Sequence, residues 1–133
     1  MEISGADALA QIPLFSHLSS RQLRKLQRGA TEHRYGSDAT IVREGGRTTT
    51  LFVVLEGTAK VVRDGRAISR RKPGEYFGEI SLIDGRPRSA SVIAETPVRC
   101  LVLEQQALRK VLKGEPAASW AMLISLASRL RGE

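Results

Sequence analysis

One cysteine, Cys100, stands in 133 residues, so no internal disulfide can staple the chain. The two histidines, His17 and His33, are spaced neither with each other nor with acidic residues as metal ligands, which argues against a small metal-binding barrel. No apolar run approaches the length needed to cross a bilayer, and Met1-Glu2-Ile3-Ser4-Gly5-Ala6-Asp7 lacks the basic-then-apolar pattern of a secretion signal. With the unpaired cysteine, this reads as a cytoplasmic protein without a membrane segment. Aromatic residues make up 5% of the chain, too few to stack successive bases as single-strand binders do. A Gly-flanked nucleophilic serine and a Walker loop are both missing, so no catalytic residue is assigned and the chain does not read as an enzyme. Internal repeats and low-complexity tracts are absent as well.

What is present suits one domain over residues 1–133, with hydrophobic residues at 41% and charged residues at 26%, ordinary values for a globular chain. The net charge of +7, from 21 basic and 14 acidic residues, invites a nucleic-acid reading. The arginines, however, are spread from Arg21 to Arg131, and Arg70-Arg71-Lys72 is the single block. The charge is therefore read as a solvated surface that draws in an anionic ligand, and nucleic acid is not an expected partner.

Ser19-Ser20-Arg21-Gln22-Leu23 has the form of a capping box, Ser19 as N-cap and Gln22 three residues on, with Leu18 placed to staple onto Leu23. The short helix it starts should run to about Gln27 with Leu23 and Leu26 inward, and stop at Gly29. Beyond Thr40 the pattern changes to short β-branched or aromatic runs between turn residues. These are Ile41-Val42, Leu51 to Leu55, Ala59 to Arg63, Ala67 to Ser69, Ser89 to Ala94 and Val98 to Leu103. Asp64-Gly65 is the strongest hairpin signal, since a type I′ turn accepts Asp-Gly at its centre, and Glu44-Gly45-Gly46-Arg47 and Pro73-Gly74 mark other turns. Many short strands with such turns predict a sandwich or jelly-roll barrel. From Leu103 a helical pattern begins with Leu108, Val111 and Leu112 on one face; Gly114-Glu115-Pro116 breaks it, and Ala117 to Arg131 forms a second helix. Spacing places Leu123, Ile124 and Leu126 in the core, with Trp120 packing beside them, and Cys100 reads as a buried small hydrophobe.

The segment from Phe77 to Ala90, F-G-E-I-S-L-I-D-G-R-P-R-S-A, carries the chemistry. Gly78 tolerates backbone angles that a Cβ resists, and Glu79-Ile80-Ser81-Leu82 reads as the first turn of a short helix. A helix start offers unpaired N–H groups and the positive end of a dipole, which favour an anionic phosphate near the Ile80 and Ser81 amides. Arg88 can return across the loop with a charge-assisted fork, and Pro87 stiffens that loop. Glu79 would repel a phosphate but suits a sugar hydroxyl beside it. Each residue also has a plainer reading: Arg88 as a solvated loop residue, Glu79 as an acid complementing the helix dipole, Gly78 as a turn glycine.

The run resembles the phosphate-binding cassette of cyclic nucleotide-binding domains, the cAMP and cGMP sensors of bacterial regulators, kinases and channels, whose core is F-G-E-[IL]-[AS]-L followed by R-[AST]-A. Ile12-Pro13-Leu14-Phe15, Ile41 to Gly45, Leu51 to Gly57 and Pro73-Gly74-Glu75 also fall where that family has them, so the resemblance covers nearly the whole chain. It implies a mainly β fold with flanking helices: a jelly-roll-like β-barrel, a short N-terminal helix and two C-terminal helices similar to the family's B and C helices. It implies a ligand site of Gly78, Glu79, Ile80, Ser81, Arg88, Ser89 and Ala90, with Glu79 on the ribose 2′-hydroxyl. Val61 and Ile68 would line the base pocket, although ordinary core packing explains them equally well. Arg88-Ser89-Ala90 leans to cAMP, as in bacterial regulators with R-S-A, and leaves cGMP open. Leu130 and Arg131 are candidates for the lid over the base, which the family takes from its C-terminal helix. Thr48-Thr49-Thr50 departs from the Gly-Asp that many members carry, so that turn is expected to be built differently without touching ligand.

The resemblance thus implies a sensor, with cAMP or cGMP as its ligand and no other cofactor, that couples binding to movement of the C-terminal helices. In the family's regulators the C helix pairs two subunits and leads into a DNA-binding domain. A homodimer is compatible with this sequence; no helix-turn-helix follows before Glu133, and the effector is left unassigned. The alternatives are a degenerate β-barrel that mediates contacts and the sensor fragment of a DNA-binding transcription regulator.

Overall fold

The computed structural model describes residues 5–132. Residues 1–4 of the start, where no secretion signal was expected, and Glu133 at the end of the domain expected over 1–133 lie outside the described residues. Eight strands form two antiparallel sheets among the described residues. The strands are β1 (Thr31–Tyr35), β2 (Thr40–Val42), β3 (Thr50–Glu56), β4 (Ala59–Arg63), β5 (Arg66–Arg71), β6 (Tyr76–Phe77), β7 (Ser91–Ala94) and β8 (Val98–Glu104). Their order is β1-β8-β3-β6 in one sheet and β2-β7-β4-β5 in the other. The helices are α1 (Gly5–Ala8), α2 (Ser20–Arg28), α3 (Glu79–Asp84), α4 (Gln105–Gly114) and α5 (Pro116–Arg131), with 3-10 turns at Leu9–Gln11 and Pro13–Phe15. This is the mainly β architecture with flanking helices that the strand pattern and the resemblance imply.

β3 and β8 lie at the middle of the structure, and their side chains alternate between two cores. Leu51, Val53 and Leu55 of β3 and Leu101 and Leu103 of β8 join Ile12, Leu14, Phe15, Leu26, Leu108 and Met122 from the helical layer. Phe52, Val54, Cys100 and Val102 face the other way, onto Val61, Val92 and Ala94 of the second sheet. A strand buried on both faces reads as an unbroken apolar run, as Leu51 to Leu55 does. Cys100 is fully buried, and desolvation pushes its thiol up to about 12, as expected of an inert small hydrophobe.

The local signals at α2 and at the hairpin are built as expected. Ser19 Oγ accepts from the Gln22 amide at 3.1 Å, and Gln22 Oε1 accepts from the Ser19 amide at 2.9 Å, which closes the capping box. Leu18, Leu23 and Leu26 all pack into the helical core. Asp64 and Gly65 both have positive φ, 51° and 77°, as a type I′ turn demands.

Several expectations need correction. β1 carried no apolar signal because it is an edge strand with Thr31 to Arg34 exposed, and β6 is only two residues long. β7 starts at Ser91, not Ser89, because Ser89 and Ala90 belong to the loop that delivers Arg88. β8 continues to Glu104, so the helical region begins at Gln105 rather than Leu103. The break expected at Gly114-Glu115-Pro116 falls at Glu115, and the second helix starts one residue before Ala117, with Pro116 in its first turn, where the missing N–H is no loss. Leu123 and Ile124 are 55% and 40% exposed and Trp120 is 67% exposed, against the expected burial. The face that α5 buries is Ala118, Met122 and Ser125, which leaves those three on the solvent side while Leu126 is partly buried.

Candidate functional site

One cavity of about 230 Å³ gathers the cassette between the second sheet and α3. Gly78, Glu79, Ile80, Ser81, Arg88, Ser89, Ala90, Val61 and Ile68 all line it. Nine residues spread from β4 to the loop before β7 are thus brought to one place.

Gly78 is the N-cap of α3 with φ of +92°, in the left-handed region that a Cβ disfavours. A Cβ there would lie 2.5 Å from Arg88 Nη1 and 2.5 Å from the Thr50 carbonyl, so the position is closed to a side chain on two counts. Helix α3 starts at the next residue, and the Leu82 amide makes the first return bond, to Gly78 O at 3.0 Å. The amides of Glu79, Ile80 and Ser81 come before the first possible return bond and are left for another acceptor. Ser81 Oγ donates to the Arg86 carbonyl at 3.1 Å, and Asp84 Oδ1 accepts from the Arg86 amide at 2.9 Å, which together close the loop that leads to Arg88.

Arg88 is 6% exposed, an unusual state for an arginine without a carboxylate partner in hydrogen-bond contact. Its Nε donates to Thr48 Oγ1 at 3.2 Å, Nη1 to the Gly78 carbonyl at 3.4 Å and Nη2 to the Thr50 carbonyl at 2.6 Å. The guanidinium carbon lies 6.0 Å from the centroid of Phe52, which stacks on Phe77 with centroids 4.9 Å apart. A guanidinium has five N–H donors, so one remains uncommitted on each terminal nitrogen, enough for a fork on an anion. Burial pushes the Arg88 guanidinium down from its ordinary value while the charge of Glu79 pushes it back up. It remains a cation, and its desolvation makes an arriving anion more welcome.

The backbone of Arg88 is held as firmly as its side chain. The Gly45 amide donates to the Arg88 carbonyl and the Arg88 amide to the Gly46 carbonyl, each at 2.8 Å. The Glu44-to-Arg47 turn therefore positions the arginine, a role that its sequence did not signal. Thr48 and Thr50, from the run expected to be built differently without touching ligand, supply two of the three anchors of Arg88.

Further lining residues escaped the sequence reading: Val42, Arg63, Ser69, Arg71, Phe77 and Val92. Ile68 and Ser69 are consecutive and both reach the cavity because the β4–β5 register slips there, Val61 pairing with Ser69 and Val62 with Ala67. A bulge of this kind re-aims a side chain that strict alternation would send away. Ile68 is 50% exposed, a lining residue open to solvent, whereas Val61 is buried and serves core and cavity at once. Arg71 follows Ser69 by two and shares its face; its Nη1 donates to Ser69 Oγ at 3.0 Å and its Nε to the Tyr76 carbonyl at 2.9 Å. Arg63 Nε donates to the Ser89 carbonyl at 3.1 Å. Three arginines against the single carboxylate of Glu79 leave the cavity net positive, fitted to an anion that also offers a hydroxyl.

Leu130 and Arg131, the candidate lid, do not line the cavity, and Leu130 is 91% exposed. The C-terminal helix approaches through a different residue. Burial and then Glu79 push the Tyr76 phenol up from its ordinary value, while Arg129 and Arg71 pull it down, so Arg129 is within electrostatic reach of Tyr76, the residue before Phe77. Behind α3, a second cleft of about 270 Å³ separates Leu82 and Ile83 from Leu108, Met122 and Leu126 of α4 and α5, and Gln105 Nε2 bridges to the Leu82 carbonyl at 2.9 Å.

Comparison with known proteins agrees with the fold and with the family resemblance. A model of the cyclic nucleotide-binding domain family matches residues 32–115. A cAMP-dependent protein kinase regulatory subunit of Aspergillus niger is 29% identical over 106 residues, which is 78% of this chain and 26% of that protein. A cGMP-dependent protein kinase of Toxoplasma gondii is 32% identical over 104 residues, 78% of this chain and 10% of that protein. The chain thus spans about a quarter or less of the length of these curated relatives. Among solved structures, the N-terminal domain of a transcriptional regulator from Streptomyces coelicolor A3(2) superposes with a TM-score of 0.86 at 35% identity, covering 95% of this chain and 92% of that one.

Proposed function

The chain belongs to the cyclic nucleotide-binding domain family, and we propose that this regulatory domain senses cAMP through the cavity around Arg88. The observation that carries the reading is the buried Arg88, held by Thr48, Gly78 and Thr50 with two donors to spare. The cyclic phosphate sits against those donors and the Ile80 and Ser81 amides, the ribose 2′-hydroxyl donates to Glu79, and the base lies toward Val61 and Ile68. Ser89, at the cavity wall, is the reason for preferring cAMP over cGMP.

Binding is a signal rather than the start of a reaction, in keeping with the regulatory subunit among the relatives. The coupling route runs from α3 across the cleft behind Leu82 to α4 and α5, with the Gln105 bridge joining the two sides. The end of α5 moves toward the base when ligand enters and brings Leu130 and Arg131 with it. The exposed stripe of Trp120, Leu123, Ile124 and Leu130 along α5 is the face on which two copies would pair.

Calorimetry with cAMP and cGMP on one sample tests the ligand, with tighter binding of cAMP expected and cGMP preference refuting the choice. Hydrogen exchange tests the coupling: cAMP should slow exchange in α5 as well as in α3, and protection confined to α3 would refute it. Recovery of intact cAMP after long incubation is expected, and conversion to AMP would mean catalysis.

A further inference from the structure

A groove of about 970 Å³ lies between α2 and α4 and shares no residue with the cavity around Arg88. Its walls are cationic, with Lys25 and Arg28 from α2 and Arg109, Lys110 and Lys113 from α4; Glu104 is the one acid along it. Lys25 is engaged, its Nζ 2.9 Å from Glu115, but Arg28, Arg109, Lys110 and Lys113 make no ion pair among the described residues. All four are exposed. Arg109 and Lys113 are four apart on one helix, a like-charge spacing that weakens a helix. No ion pair among the described residues offsets this repulsion. The floor is of another kind: Ala107 and Val111, with Gly29 where a Cβ would come 2.9 Å from that of Ala107 and hold the helices apart.

We propose that this groove docks an acidic segment of a partner protein that also carries aliphatic side chains. Carboxylates answer the two cationic walls, and the aliphatic residues between them meet the floor. A nucleic-acid strand would satisfy the walls but gain nothing from an aliphatic floor, and the groove has no aromatic ring for a base to stack on. A lipid surface is disfavoured by shape, since a flat layer of headgroups cannot reach the bottom of a groove.

The test is fluorescence anisotropy with the full chain and a labelled synthetic peptide of repeating Glu and Leu. A Glu–Ser peptide, a duplex DNA oligonucleotide and phosphatidylserine vesicles serve as competitors. The Glu–Leu peptide should bind, more weakly as salt is raised. Arg109→Glu combined with Lys113→Glu should weaken it by about tenfold or more in protein shown to be folded. Arg28→Glu, on the opposite wall, gives the same reading if the double variant fails to fold. No binding to the wild type, equal binding to the charge-reversed variants, equal binding of the Glu–Ser peptide, or tighter binding of DNA or vesicles would each overturn the proposal.

Discussion

Arg88→Ala separates the two tasks assigned to this residue. The substitution removes bonds to Thr48 Oγ1, Gly78 O and Thr50 O, of which the 2.6 Å contact to Thr50 is the shortest. Leaving such acceptors without a donor costs about 1–3 kcal/mol for a buried group, and the cavity beside them lets water take up part of that loss. A drop in stability toward the lower end of that range is expected in a thermal or urea melt without ligand. Affinity falls by a separate amount. A charge-assisted bond to phosphate is worth about 1.5–3 kcal/mol, which at 1.4 kcal/mol per decade is about 10- to 150-fold in Kd. Titration calorimetry with cAMP measures this directly on protein shown to be folded. Arg88→Lys keeps the charge and loses the fork, so it should fall between wild type and Arg88→Ala in affinity. A Kd for folded Arg88→Ala within about twofold of wild type would refute the reasoning, because no other residue has been given the phosphate's charge.

Gly78→Ala forces a Cβ into a left-handed position already occupied by Arg88 Nη1 and Thr50 O, and should lower stability by about 1–3 kcal/mol together with cAMP affinity; a loss under about 0.5 kcal/mol in urea unfolding would contradict it. If Glu79 holds the 2′-hydroxyl, 2′-deoxy-cAMP binds wild type more weakly than cAMP does, and Glu79→Ala narrows that gap; a gap that persists places Glu79 elsewhere. Glu115, at the α4–α5 junction, is paired with Lys25 and Arg21 of α2. The hydrogen bond from Lys25 holds its carboxyl below the ordinary value of 4.5, burial opposes this, and the charges of Arg21 and Lys25 add to it. A carboxylate depressed on folding stabilises fully above its unfolded value and loses that contribution as pH falls through the folded one. The difference in melting temperature between wild type and Glu115→Gln should therefore be largest near neutral pH and close below 4.5, and a gap independent of pH would argue against the pair.

How far the sequence could be read depended on the range of the interactions involved. The capping box at Ser19, the Asp64-Gly65 turn and the runs of β3 and β8 were legible because a few neighbouring residues determine them, through local bonds or an apolar pattern. The cassette was legible for a similar reason, since Gly78, Glu79 and the turn of α3 lie in one short segment. β1 was not, because an exposed edge strand is specified by its pairing with β8 and leaves no periodicity of its own. The faces of α5 were misjudged because a helix apolar nearly all round does not say which side meets the Pro13–Phe15 turn and α4. Tertiary structure alone decided what holds Arg88. Thr48 and Thr50 lie 40 and 38 positions away along the chain, Gly45 and Gly46 at a similar distance, and a bond between such residues exists only once the sheets have closed. The same is true of Ile68 and Ser69, which reach the ligand cavity side by side because a slip in strand register, invisible in either strand alone, turns one of them inward.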